Sequence, residues 1–323
     1  MPVIIPKELP AFSLLERDVF VMDTARAAQQ DIRPLELLIV NLMPVKEQAE
    51  AQLLSLLANS PLQIKITLLR TASYVGKNTS YEHLEQFYTE LALVRGRFFD
   101  AAIITGAPVE TMDFCEVSYW SEMVEIMDFL RERTTSSMYL CWGAMAALHH
   151  FYGLRKVALG EKLFGVYEHE KAEDALLMGL GDRVSMPHSR HSGMEFGGVL
   201  EGGAGGGTLA DGASNGLKLL LGSAKTGPAF LRDERDFYML AHPEYDKLAL
   251  WREWQRDKEL GQARPENYFK EGSRDALGNG SRDALGDAAK HDEEGICFSW
   301  RSDASVIFSN WINYVYQKTP YEL

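Results

Sequence analysis

Cys141 stands where an apolar run, Ser137 to Leu140, gives way to Trp142 and then to Gly143, Ala144, Ala146 and Ala147. A strand emptying into a cysteine, followed by a helix whose first turns are small, is the pattern of a nucleophile elbow. Small residues let the helix approach the sheet, the sharp turn lifts the side chain, and the helix N-terminus favours a thiolate. The backbone N–H of Trp142 is then aimed at a developing oxyanion. A free cysteine can equally serve as a small buried hydrophobe, so its position carries more weight than its type.

A second apolar run, Phe237 to Ala241, empties into His242-Pro243-Glu244. An imidazole at a strand end can reach a neighbouring elbow, and a carboxylate two residues on can curl back to orient it. The same three residues could instead be a turn capping the next helix. Together, Cys141, His242 and Glu244 form a nucleophile, base and support. His188 and His191 have a spacing that two metal ligands could use, but no Cys, Asp or Glu cluster accompanies them, and no metal is expected. His149 and His150 read as packing residues on the helix behind Cys141.

These groups need a scaffold that brings distant segments to one edge. Leu35 to Val40, Gln63 to Leu69, Phe99 to Thr105 and Ser137 to Leu140 read as strands. Helical patterns lie between and after them, near Ala49 to Leu57, over Tyr81 to Val94, over Ser118 to Arg131 and from about Asp246 to Leu260. Pro44 fits the first turn of the helix after Leu35–Val40. Strands alternating with helices imply a doubly wound, mostly parallel α/β sheet flanked by helices. Ligands of such sheets sit beyond the carboxyl ends of the strands, where Gly106, Cys141 and His242 all fall.

A chain of 323 residues with 46% hydrophobic and 24% charged residues suits one α/β domain over residues 1–323 with elaborations. The net charge of -13 argues against nonspecific nucleic-acid binding, which needs basic surface. The early prolines and charges of the N-terminus are unlike a secretory signal. Thr134 to Leu154 is uncharged and long enough for a bilayer, but its Thr, Ser, Cys and His content favours a strand and a buried helix over a membrane span. Three widely spaced cysteines without a CxxC suit a reducing, cytoplasmic setting. Residues 201–216, rich in glycine, and 270–294, holding the repeated Gly-Ser-Arg-Asp-Ala-Leu-Gly, read as flexible surface insertions.

The chain resembles the homoserine O-acyltransferases of methionine biosynthesis, which are related to class I glutamine amidotransferases of flavodoxin-like fold. The resemblance rests on Asn41-Leu-Met-Pro44, Asn59-Ser-Pro-Leu-Gln63, Thr105-Gly-Ala-Pro108, Cys141-Trp142, Glu161-Lys-Leu163 and Gly165-Val-Tyr-Glu-His169. It continues through Pro187-His-Ser-Arg190, His242-Pro-Glu-Tyr-Asp246, Asn267-Tyr-Phe269, Ser299-Trp-Arg-Ser302, Asn310-Trp311 and Thr319-Pro-Tyr321, in order along nearly the whole chain. It implies that Cys141 is the acylated nucleophile, His242 the proton acceptor and Glu244 its support. Lys162, Ser189 and Arg256 are implied to line the substrate site, and a homodimer is implied.

The family's pattern also implies an acyl donor. The position after Thr-Gly-Ala-Pro-x is glycine where succinyl-CoA is used and glutamate where acetyl-CoA is used; here it is Glu110. A carboxylate there repels the second negative charge of succinate. The reaction implied is double displacement: acetyl-CoA acetylates Cys141, and L-homoserine takes the acetyl group with His242 as base. No permanently bound cofactor is implied; acetyl-CoA is a co-substrate. Succinyl transfer, a glutamine-hydrolysing amidotransferase and a non-catalytic cysteine sensor are the alternatives. Tyr139 stands where amidotransferase elbows commonly have glycine, which weighs against the hydrolase.

Overall fold

The computed structural model describes residues 3–16, 19, 21–29, 32–74, 78–196, 216–270 and 295–320. The expected insertions at 201–216 and 270–294 lie outside these, apart from Gly216 and Lys270. In chain order the strands are β1 (Val3–Ile4), β2 (Val21–Met22), β3 (Leu35–Val40), β4 (Ile64–Leu69), β5 (Tyr88–Thr89) and β6 (Phe99–Ile104). They continue as β7 (Thr134–Leu140), β8 (Arg155–Lys171), β9 (Arg183–Glu195), β10 (Lys218–Ser223), β11 (Gly227–Arg232) and β12 (Phe237–Met239).

These strands form one sheet in the order β2-β1-β4-β3-β6-β7-β12-β11-β10-β8-β9, with β5 attached to β4. From β2 to β12 the pairings are parallel. From β12 onward they are antiparallel.

Alternation along each strand sends side chains to opposite faces. Leu35, Leu37 and Ile39 join Ala101, Ile103, Met138 and Leu140 on one face, packed against Leu53 and Leu57 of the helix Lys46–Leu57 and against Ile307, Phe308 and Trp311 of the helix Arg301–Lys318. Leu38 and Val40 join Ala102, Ile104 and Tyr139 on the other, against Met123, Ile126 and Met127 of the helix Trp120–Arg133 and against the small residues of the helix Trp142–Tyr152. Burial on both faces explains why these strands read as largely apolar runs toward their carboxyl ends. The segment weighed as a membrane span is thus β7 and a packed helix; no helix among the described residues is long and apolar enough to cross a membrane.

Two expectations need correction. Tyr81 to Val94 is not one helix: Tyr81–Phe87 and Leu91–Val94 are helical, and β5 lies between them, pairing Tyr88 with Leu68 and Thr89 with Leu69. The helix after β3 starts at Lys46, with Val45 as its extended N-cap, so Pro44 precedes the first turn. The antiparallel pair β8–β9 has no counterpart in the sequence reading; it spans Arg155↔Glu195 to Glu170↔Arg183. Polar and charged residues interrupt any alternation along it. A third, smaller apolar cluster of Phe164, Val166, Leu250, Tyr268, Ile296 and Trp300 fixes the helix Ala249–Asp257 over this hairpin.

Candidate active site

The elbow forms as its small residues predict. β7 runs beside β12, with Leu140 opposite Met239, and the Cys141 N–H donates to Met239 O at 2.7 Å. Cys141 then takes φ 46° and ψ -112°, a conformation sparsely populated for a residue with a Cβ. Trp142 opens the following helix, whose first-turn N–H groups lack intrahelical partners. A Cβ on Gly143 would lie 2.7 Å from Thr105 O and 2.9 Å from Ile104 Cγ2, so only glycine lets this turn pass the end of β6. Holding a non-glycine residue in such a conformation costs about 1–3 kcal/mol. Among inactive variants, Cys141→Gly should therefore be more stable than Cys141→Ala by about 1 kcal/mol, reversing the usual order of these residues. Thermal unfolding of the pair checks this; an equal or lower midpoint for the glycine variant would show the elbow to be unstrained.

His242 reaches the same place from β12, its N–H anchored on Pro187 O of β9 at 2.8 Å. A Cβ on Gly106 would lie 3.3 Å from Cys141 Cβ and 3.5 Å from His242 Cε1, so the bare backbone after β6 roofs both side chains. Glu244 curls back, its Oε1 2.7 Å from His242 Nδ1. The Tyr245 ring stacks on the imidazole with centroids 4.2 Å apart. Cys141, His242 and Glu244 are 5%, 3% and 7% exposed. The nucleophile is thus set deeper than an open lip of the sheet, with the Gly106 backbone packed against it. Burial disfavours a charged His242, but the charge of Cys141 and then that of Glu244, with hydrogen bonds to both, raise its pKa well above the usual histidine value.

Glu110 is fixed by β9. Its Oε1 accepts the His191 N–H at 2.9 Å, and its carbonyl accepts from Ser192 Oγ at 2.9 Å. Among the described residues its other carboxylate oxygen is buried without a hydrogen-bond partner. Lys162 and Ser189, both hidden, meet on Glu253 Oε1, each at 2.5 Å. Arg256 stands one helical turn along from Glu253, 69% exposed, 4.0 Å from that same oxygen and bound to Asp257 through two hydrogen bonds. The residues expected at the substrate site are therefore one cluster, gathered on a carboxylate that sequence reasoning did not single out.

A second set escaped the sequence reading. Arg190, 2% exposed, donates to Ser192 O at 2.8 Å, Thr226 O at 2.7 Å and His188 Nδ1 at 3.4 Å. His188 Nε2 meets His169 Nε2 at 3.0 Å, and His169 Nδ1 donates to Val184 O at 3.1 Å. With Arg190 as donor at one end and Val184 O as acceptor at the other, His188 carries its proton on Nε2 and His169 on Nδ1, both neutral. Burial, first of all, takes His169 down to about 4 and His188 well below its ordinary value. Burial also lowers Arg190, while the charges of Cys141, Glu110 and Tyr167 oppose that loss. His188 is wholly buried in this chain of hydrogen bonds; among the described residues no group of three or more His, Cys, Asp or Glu is placed to hold a metal ion.

A cysteine elbow facing a histidine–glutamate pair on the carboxyl edge of a doubly wound sheet defines the class I glutamine amidotransferase-like architecture. A glutamine amidotransferase from Thermotoga maritima superposes with a TM-score of 0.54 at 8% identity, covering 88% of this chain and 99% of that one. One from Methylobacillus flagellatus gives 0.51 at 10% identity, covering 87% and 95%. At such identities the likeness is one of fold.

Within that architecture the chain belongs to the family described as "HTS: Homoserine O-succinyltransferase", whose model matches residues 2–321. A Campylobacter jejuni protein named "Homoserine O-acetyltransferase" is 50% identical over 325 residues, covering all of both chains. A Geobacillus protein of the same name is 44% identical over 330 residues, covering 100% of this chain and 99% of its own.

Proposed function

We propose that this chain is a homoserine O-acetyltransferase that carries the acetyl group from acetyl-CoA to L-homoserine on Cys141. The observation that carries the reading is the convergence of Cys141, His242 and Glu244 beneath Gly106, in a chain half identical to a protein of that name. The Cys141 thiolate attacks the acetyl carbonyl, with the Trp142 N–H facing the oxyanion, and coenzyme A leaves with the proton held on His242. Acetylation removes the charge that does most to hold the proton on His242. The ring is then free to take the homoserine hydroxyl proton as that oxygen attacks the thioester and thiolate departs. Lys162, Ser189 and Arg256 would receive the amino-acid end of homoserine, and a guanidinium suits its carboxylate. The reaction needs no resident cofactor. A cytoplasmic homodimer is the setting that the family resemblance suggests.

The family description names succinyl and the relatives' names say acetyl, so the donor turns on Glu110. Its buried, unpartnered oxygen would face the distal carboxylate of a succinyl group, and two unscreened negative charges repel. Glu110→Gly should raise succinyl-CoA use relative to acetyl-CoA by about 10-fold or more. Initial rates with homoserine and each donor test both the activity and this assignment. A ratio unmoved by the substitution removes Glu110 from donor choice, and no transfer from either donor sinks the whole reading.

A further inference from the structure

The pairing of β9 with β8 breaks at the point where β9 meets Glu110. Ser192 pairs with Ala158 and Arg190 with Leu163, so Leu159 to Lys162 of β8 stand against the single residue His191. Among the described residues no residue of β8 pairs with His191, and its N–H donates to Glu110 Oε1 at 2.9 Å. Glu110 itself lies in a turn beyond the end of β6, outside any strand or helix. Its carboxylate has, among the described residues, this one hydrogen bond. The N–H that fixes the carboxylate therefore belongs to the stretch of β9 that lacks the ladder bonds which ordinarily fix a strand.

Arg190 makes up for the missing ladder. It is 2% exposed, and its guanidinium donates through Nη1 to Ser192 O at 2.8 Å, through Nη2 to Thr226 O at 2.7 Å and through Nε to His188 Nδ1 at 3.4 Å. The first and third bonds brace β9 on either side of Arg190, and the second ties the strand to the turn between β10 and β11. A Cβ on Gly193 would lie 3.1 Å from Nη1, so glycine there leaves the guanidinium its room. Ser192 completes the hold, its Oγ donating to the Glu110 carbonyl at 2.9 Å. A rigid planar fork can hold three acceptors in fixed directions, which the point charge of a lysine cannot. Burying such a cation on uncharged partners costs more than filling the space with an apolar side chain, which argues for a task beyond packing.

We propose that Arg190 and Ser192 are positioning residues for donor choice, holding the unpaired stretch of β9 so that the His191 N–H keeps the Glu110 carboxylate where it opposes a succinyl group. This rests on Glu110 as the donor selector and names what fixes it. A carboxylate freed from the hold can turn away from the distal charge of succinate, whereas acetyl has no charge to avoid.

The test measures kcat/KM of the full-length chain for acetyl-CoA and for succinyl-CoA with L-homoserine as acceptor. The variants are Arg190→Lys and Ser192→Ala, each alone and each added to Glu110→Gly. Each alone should raise the succinyl-to-acetyl ratio by about 3- to 10-fold, the worth of one positioning hydrogen bond. Added to Glu110→Gly, each should move the ratio by less than about twofold, because the carboxylate it positions is gone. Ser192→Ala leaves the buried guanidinium in place and decides the matter if Arg190→Lys does not fold. Equal losses with both donors and an unmoved ratio would make the two residues structural only and overturn the proposal. A shift as large without Glu110 as with it also overturns it, because the effect would not pass through that carboxylate. If Glu110→Gly alone leaves the ratio unmoved, the donor role of Glu110 fails and this inference with it. Transfer from neither donor by the native chain is a different failure, that of the acyl-transfer reading itself.

Discussion

Replacing Cys141 by alanine is expected to lower acetyl transfer to homoserine by about 10⁴-fold or more and to abolish covalent labelling of the chain by acetyl-CoA. The size of the effect follows from how much of the fold is committed to this one sulfur. The backbone at Cys141 is held at a positive φ, and Gly143 is required beneath it. The cation of Arg190 is buried and is joined by hydrogen bonds to neutral partners rather than to a carboxylate, and the charge of Cys141 helps to hold it. A cysteine that merely filled space would be replaceable by alanine at a cost in stability alone. Mass spectrometry after mixing with acetyl-CoA, quenched before any acceptor is added, reads the intermediate directly. An alanine variant that still turns over at more than a trace rate would mean that the acetyl group never rests on this residue.

How far the site was legible depends on which signals are local. The elbow was legible because its causes lie within a few residues: an apolar strand, one cysteine, then Gly143 and alanines that permit the turn. His242 and Glu244 were legible for the same reason, since a strand end and a two-residue return are short-range features. The parallel half of the sheet announced itself through β3, β6 and β7, whose burial on both faces leaves an unbroken apolar stretch at each carboxyl end, Leu37–Val40, Ala101–Ile104 and Met138–Leu140.

The β8–β9 pair left no such mark. Its outer residues face solvent, its middle carries Lys162, Ser189 and Arg190, and cross-strand pairing rather than hydrophobic period decides its register. Glu253 was illegible for a related reason. A carboxylate three residues before an arginine on a helix is an ordinary surface pair. Only packing of that helix over the β8–β9 hairpin makes it the meeting point of Lys162 and Ser189. His169 and His188 lie nineteen residues apart and become partners because β8 and β9 place Gly165 opposite His188 and His169 opposite Val184.

Substituting the base and its support should give the next largest losses, and pH separates the two roles. His242→Gln keeps a polar group of similar reach but cannot carry the proton, so turnover should fall by about 10²- to 10⁴-fold at every pH. Glu244→Gln leaves a proton acceptor in place but removes a charge that raises its pKa, and turnover should fall by about 100-fold or more as the ring loses its orientation. Removing a negative neighbour makes the imidazolium easier to deprotonate. A base works when neutral, so the rising limb of the rate of acceptor acylation against pH should move to lower pH in this variant. Stability moves in a linked way. His242 holds its proton more tightly folded than unfolded, so its charge stabilises the native state fully below about pH 6.5. That contribution is lost as pH climbs through the raised folded value. In Glu244→Gln the loss should begin at the same pH, be complete at lower pH and be smaller. Rate profiles of the acceptor step, measured on pre-formed acetyl-enzyme, and unfolding midpoints from pH 5 to pH 9 would read both effects. A limb that stays where it was in the native enzyme would mean that the carboxylate positions the ring without tuning its proton affinity.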